Sequence, residues 1–257
     1  MQATPVLFYS RNPVMRTEKR KQLAFWTFLT LEALLLLGLF LFCFAAFFYV
    51  TWEVFRENNE ILDKAAFAFA ARHESPETTR VLEFITYFAS KKFLLTVPPT
   101  LIVFFLFFKK WRWFSGYILA ATMGSFILNQ YLKNNFSRLR PVTAFYHQSG
   151  YSFPSGHAMI GSAFYGILAY LIYKNVRNFW LRWLLILALV VWEIIIAYSR
   201  IYLNVHYATD VLAGLSAGIF WCALVIVLMP QAEWFMYNRE RAKRLEHLRK
   251  IRAARNL

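Results

Sequence analysis

Three polar clusters interrupt an otherwise apolar chain. They are Lys133 with Arg140-Pro141, then Pro154-Ser155-Gly156-His157, then Ser199-Arg200 with His206 and Asp210. Together they supply three cations, two imidazoles and one carboxylate. Such a set can hold a phosphoryl group, attack its phosphorus and protonate the leaving oxygen. Basic side chains at the margins of apolar segments are costly, so their presence calls for a bound anion.

Each cluster contributes something different. Lys133 and Arg140 are seven residues apart, about two helical turns. A helix running through both would put the two cations on one face, with Pro141 ending it. Lysine offers a mobile point charge, and arginine a planar fork that matches phosphate oxygens. Arg138, just off this spacing, is read as a snorkelling boundary residue. Ser155 and Gly156 precede an apolar helix starting near His157, so unpaired backbone N–H groups would face the same anion. Ser155 also suits an N-cap, and Gly156 allows close backbone approach. His206 and Asp210 are four residues apart, neighbours on a helix that begins there. A carboxylate bonded to one imidazole nitrogen leaves the other free as a nucleophile. In isolation, Lys133 reads as snorkelling, His157 as a cap and the His–Asp pair as a structural hydrogen bond. Their order and their common side of the membrane favour one site.

These residues must be carried by membrane-crossing elements. The chain of 257 residues is 59% hydrophobic and 19% aromatic, and its apolar residues fall in long runs. The pattern predicts an all-α polytopic membrane protein, one domain over residues 1–257. Its six spans lie near 23–50, 93–109, 115–133, 157–174, 179–198 and 208–230. The first run is too long for a cleavable signal and reads as a retained span. Between the first two spans, 51–92 carries acidic residues among apolar ones at helical spacing. It predicts amphipathic helical structure at the interface, with 81–88 re-entering the membrane edge.

Net charge is +15, concentrated in the flanks and turns, a placement that fits anionic lipid and not nucleic acid. Residues 11–21, the turn with Lys109, Lys110 and Arg112, the turn with Lys174, Arg177 and Arg182, and the basic tail 237–257 share one side. By the positive-inside rule that side, with both termini, is cytoplasmic. The three clusters then face outward from the cytoplasmic (inner) membrane. The tail is expected to lie on anionic lipids. Cys43 and Cys222 sit in apolar runs and read as lipid-facing or packing residues, not a disulfide. Glu32 and Glu193 lie within spans and are candidates for a substrate or coupling role; the alternatives are a place near the cytoplasmic end for Glu32 and pairing inside the bundle for Glu193. His147, beside Tyr146, reads as a headgroup contact or a plain loop residue, and nothing singles out Asn129, Asn134 or Asn135.

The set Lys133-x6-Arg140-Pro141, Pro154-Ser155-Gly156-His157 and Ser199-Arg200-x5-His206-x3-Asp210 resembles the three-part signature of the type-2 phosphatidic acid phosphatase superfamily. The resemblance implies an extracytoplasmic membrane phosphatase acting on a lipid phosphate or diphosphate through a phosphohistidine. His206 would be the nucleophile, Asp210 its orienting partner and His157 the acid and base. Lys133, Arg140, Ser155, Gly156 and Arg200 would hold the phosphate. It implies no metal and no other cofactor. By analogy it points to undecaprenyl diphosphate as substrate, with phosphatidylglycerophosphate, phosphatidate and lipid A as rivals. A phosphotransferase could use the same site. Oligomeric state is left open.

Overall fold

The structure is a computed structural model. It describes the backbone of residues 13–146 and 148–255, and the side chains of 31–241 apart from 32, 147 and 240, with that of 244. Among the described residues eight α-helices follow in order: α1 (Pro13–Phe55), α2 (Ile61–Arg72), α3 (Pro76–Thr86), α4 (Lys91–Leu106), α5 (Arg112–Phe136), α6 (Gly156–Asn175), α7 (Phe179–Tyr202) and α8 (Ala208–Arg255). A 3-10 turn, Tyr87–Ala89, joins α3 to α4. No strand occurs among the described residues. Of the described residues, 13–39, the first part of α1, belong to one unit, and 40–255 to a second, which contains every candidate site residue.

Local chemistry sets several boundaries. Ser75 caps α3 by accepting the Thr78 N–H at 3.1 Å, with Pro76 in the first turn. Ser90 caps α4 through the Phe93 N–H at 3.3 Å, and Asn178 caps α7 through the Leu181 N–H at 3.0 Å. Helix α5 ends where Ser137 turns left-handed at φ 48°. That stop comes before Arg140, so the two cations of the first cluster do not share a helical face. Lys133 stands on the last turn of α5, Arg140 follows in an irregular segment, and Pro141 is not the terminator.

Among the described residues, four helices qualify as spans by length and apolarity: Ala33–Phe55 within α1, then α6, α7, and Ala208–Arg239 within α8. A fifth arises if Pro76–Ala89 and Lys91–Leu106, bent by 45°, act together as a broken span or re-entrant pair. Helix α5, where the sequence predicts the third span, carries buried Ser115, Thr122, Ser125 and Asn129 and does not meet that measure. Ser115 donates to the Ile102 carbonyl of α4, Thr122 and Ser125 to carbonyls of α5 itself, and Asn129 to the Pro154 carbonyl just before α6. The chain is thus a multi-pass helical membrane protein, with two short helices, α2 and α3, in the region expected to be amphipathic.

Helix α6 is the centre, packed against α5, α7 and α8. Ile118, Phe164, Ile167, Ile196 and Val225 are buried there together. At the site end, α8 comes close enough that a methyl on Gly214 would lie 2.7 Å from the Ser155 carbonyl oxygen. In the same contact the Ser155 N–H donates to the Asp210 carbonyl at 2.9 Å. The starts of α6 and α8 are therefore locked together. Both cysteines are free and buried, so they pack inside the bundle and do not face lipid. Glu193 is 6% exposed and neither of its carboxylate oxygens has a hydrogen-bond partner, contrary to pairing within the bundle. The Glu32 and His147 side chains, and most of the tail's, lie outside the described residues.

Candidate active site

The C-terminal ends of α5 and α7 and the N-terminal ends of α6 and α8 meet at one end of the bundle. They bring together Lys133, Arg140, Ser155, Gly156, His157, Arg200, His206 and Asp210. His206 sits in the short connection before α8 and is 1% exposed; Arg200 and Asp210 are fully buried. Half-buried His157 stands in the first turn of α6, in the field of the cations Arg200, Arg140 and Lys133.

The hydrogen bonds of His206 define its state. Its Nε2 lies 3.0 Å from Arg140 Nη1, and its Nδ1 lies 3.3 Å from Asp210 Oδ2. Guanidinium groups only donate, so Nε2 is the acceptor and carries the lone pair. The ring proton then sits on Nδ1, facing the carboxylate. Burial, and after it the charges of Arg200, Arg140 and Lys133, hold the imidazole pKa well below the ordinary 6.5. Burial and neighbouring Arg200 likewise lower that of Arg140, which remains a cation.

The candidate anion ligands rest on protein acceptors. Arg140 donates to the Val205 carbonyl at 2.8 Å and the Gly150 carbonyl at 3.0 Å. Lys133 Nζ donates to the carbonyls of Tyr151 and Ser152. Arg200 donates to Thr86 Oγ1 at 2.8 Å, the Tyr146 hydroxyl at 2.7 Å and Gln148 Oε1 at 2.7 Å. Gln148 Oε1 also accepts from Arg140 at 3.3 Å, so one amide oxygen bridges both arginines. Within the site, two buried donor groups among the described residues have no hydrogen-bond partner, the Ser155 hydroxyl and the Arg200 Nε–H. Ser155 precedes α6 without using its hydroxyl as a side-chain cap, contrary to the sequence expectation. Gly156 faces Asn129, whose amide carbonyl would lie 3.1 Å from an added methyl. A cleft of about 520 Å³ opens over Arg140, lined by Leu139, Pro141, Val142, Tyr146 and Gln148 among others.

Several residues around the centre are not apparent from the motifs. Asn129, 1% exposed, donates to the Pro154 carbonyl at 3.3 Å and steadies the turn before α6. The Ser152 hydroxyl donates to Asp210 Oδ2. Arg138 is not a snorkelling residue. Its Nη1 donates to Asp210 Oδ1 at 2.7 Å, and its Nη2 to Asp63 Oδ2 at 2.9 Å. Its guanidinium lies over the Tyr207 ring, 3.9 Å from the centroid. Its charge two residues from Arg140 was the available signal; Asp63, about seventy positions upstream, gave none.

Comparison with known proteins bears on this arrangement. The model of the PAP2 superfamily matches residues 114–234, which include every candidate site residue. Phosphatidylglycerophosphatase B of Bacillus subtilis (strain 168) is 31% identical over 192 residues, covering 73% of this chain and 91% of that protein. The chain belongs to the PAP2 superfamily. It is a membrane phosphatase of that family, hence a hydrolase. The crystal structure of a transmembrane PAP2 type phosphatidylglycerolphosphate phosphatase from Bacillus subtilis superposes with a TM-score of 0.67 at 28% identity, over 76% of this chain and 96% of that one. An undecaprenyl-diphosphatase of Sulfolobus acidocaldarius is 30% identical over 48% of this PAP2 chain and 57% of its own length.

Proposed function

We propose that this PAP2 protein removes the phosphate of a membrane lipid monoester at the extracytoplasmic face, through a phosphohistidine on His206. The observation that carries the reading is the setting of His206: a lone pair on Nε2 directed at Arg140, and a proton on Nδ1 directed at Asp210. In this reaction Arg140 exchanges the ring nitrogen for a phosphoryl oxygen, which frees the lone pair. Lys133 and Arg200 take the other oxygens, with the unpartnered Ser155 hydroxyl and Arg200 Nε–H as further donors. Nε2 attacks phosphorus, and the bond from phosphorus to the lipid oxygen breaks. His157 gives that oxygen a proton. The same imidazole then takes a proton from water, which attacks the phosphohistidine and releases phosphate. The cations neutralise the phosphate, so turnover is expected to be insensitive to chelator.

Phosphatidylglycerophosphate is the favoured substrate, ahead of undecaprenyl diphosphate. Arg138 is engaged by two carboxylates, which leaves Lys133, Arg140 and Arg200 as the cations for the phosphoryl group of either substrate. The choice between them rests on the comparison with relatives, and the extent of likeness to phosphatidylglycerophosphatase B supports phosphatidylglycerophosphate. Undecaprenyl diphosphate is the second reading, supported by the archaeal relative. The site end lies opposite the turns bearing Lys109, Lys110 and Lys174, which supports an extracytoplasmic site, cytoplasmic termini and an inner-membrane location. The proposed topology has six spans, with the polar α5 and the bent α3–α4 pair as two of them, in one functional domain.

Phosphate release from detergent-purified protein should be compared over phosphatidylglycerophosphate, phosphatidate, undecaprenyl diphosphate and lipid A. Highest turnover on the first supports the substrate assignment, and a clear preference for undecaprenyl diphosphate reverses it. Phosphate passed to an added lipid acceptor, without free phosphate, would make the protein a phosphotransferase.

A further inference from the structure

The carboxylate that faces His206 is itself held by a chain of charges leading into a different part of the sequence. Asp210 Oδ1 accepts from Arg138, and Arg138 reaches on to Asp63 on α2. Asp63 is 2% exposed, and both its oxygens are used. Oδ1 accepts the Thr209 N–H at 2.9 Å, and Oδ2 accepts the Thr209 hydroxyl at 2.9 Å. Asp63 thus meets unpaired donors in the first turn of α8, next to Asp210. Arg138 also bonds the Thr209 hydroxyl oxygen at 2.8 Å. Its side chain is 16% exposed, so this is a mostly desolvated ion-pair chain of carboxylate, guanidinium and carboxylate.

A pair of this kind has a steep dependence on its members. Removing one partner of a buried ion pair leaves the other charge uncompensated. Here the uncompensated charge would sit beside the carboxylate that orients the proposed nucleophile. The arrangement also fixes which oxygen is available. Arg138 occupies Oδ1, leaving Oδ2 for His206 Nδ1, Ser152 and the Tyr207 N–H, the last at 3.0 Å.

We propose that Arg138, clamped by Asp63, is a positioning residue for the phosphatase reaction, holding Asp210 aimed at His206 from the connection between α5 and α6. This rests on the reading of His206 as nucleophile. The charged and titratable groups around His206 are Asp63 from α2, Lys133 from α5, His157 from α6, Arg200 from α7 and Asp210 from α8. Arg138, Arg140 and Tyr207 come from the connections, and Glu60 stands at the start of α2. Against that background the two members of the clamp have opposite charge. Arg138→Gln removes a cation, so protonated His206 becomes more stable and the neutral form is lost at higher pH. Asp63→Asn leaves Arg138 less compensated, so the neutral form survives to lower pH. A merely structural role would not give opposite signs.

The test uses full-length protein in detergent micelles, with whichever lipid of the four-lipid panel gives the highest turnover. kcat and the pH dependence of kcat/KM are measured for Arg138→Gln, Asp63→Asn, the double variant and Arg138→Lys. Each neutralising single variant is expected to lose roughly 10–100-fold in kcat, the scale for losing the partner that orients a functional imidazole or its carboxylate. The acid limb should rise by about half a pH unit or more in Arg138→Gln and fall by a similar amount in Asp63→Asn. In the double variant it should return toward its starting position while kcat stays low, and Arg138→Lys should recover part of kcat. Limbs that stay in place or move together, or an unchanged kcat, overturn the proposal. So does failure of all four variants to give a monodisperse folded protein, which would assign the clamp to stability alone. Failure of the nucleophile reading is distinct: it appears as retained turnover in His206→Ala.

Discussion

At the scale of single residues, the state of His206 follows from what its neighbours can and cannot donate. Arg140 supplies only N–H groups, so the imidazole meets it as a base, and the ring is poised before substrate arrives. We predict that His206→Ala abolishes turnover, by at least about 10³-fold, with elution and thermal unfolding unchanged. Residual activity near the original level would end the nucleophile assignment. The pH dependence carries a sign. Because burial and three cations lower the His206 pKa below 6.5, the acid limb of kcat/KM should fall below pH 6.5. Between the lowered value and 6.5, the unfolded chain binds the proton and the folded one does not. The contribution of His206 to stability therefore diminishes as pH drops through 6.5. A kinetic limb centred above 6.5 would contradict this.

At the scale of helices, function depends on how closely α6 and α8 approach. Gly214 makes the contact possible, since a methyl there would meet the Ser155 carbonyl at 2.7 Å and the Ala158 methyl at 3.0 Å. Gly214→Ala should cost about 1–3 kcal/mol and lower kcat, because it pushes the His157 helix away from Asp210. Thermal unfolding and kinetics on the same sample check this; an unperturbed variant would show that the two helix starts are not rigidly coupled. Glu193→Leu should raise the thermal midpoint without loss of kcat, since an unpartnered buried carboxyl group is replaced by an apolar one. A large loss of turnover would instead give Glu193 a part in catalysis. The helices bearing the clusters were legible in the sequence because apolar runs and polar breaks are local. The eight candidate site residues stand out because charged and imidazole side chains are rare in such surroundings, and because Ser155 and Gly156 precede an apolar helix within the spacing that resembles the family signature. The end of α5 was not legible: Ser137 in a left-handed conformation leaves no strong mark in a sequence, whereas Pro141 advertises a stop that the chain has already made. Asp63 and Gln148 were missed for a different reason. Their importance comes from long-range contacts, and nothing in their own neighbourhoods separates them from ordinary interfacial polar residues.

At the scale of the whole molecule, the bundle has a basic end and a reactive end. Val142 lies on the rim of the reactive end and is fully exposed, while Cys43 and Cys222 are buried. A Val142→Cys variant in intact cells should react with a membrane-impermeant thiol reagent, and the parent protein should not. Protection until the cells are lysed would invert the proposed orientation. The same rim supplies Gln148, whose single amide oxygen is shared by Arg140 and Arg200. In the proposed reaction an incoming phosphoryl group trades places with an acceptor the protein already provides, and the departing product is displaced by the same acceptor in turn. Capture and discharge become two directions of one exchange. Such an enzyme gives up tight retention for rapid clearance, and inorganic phosphate should inhibit it weakly, on the order of millimolar, with stronger inhibition of Gln148→Ala.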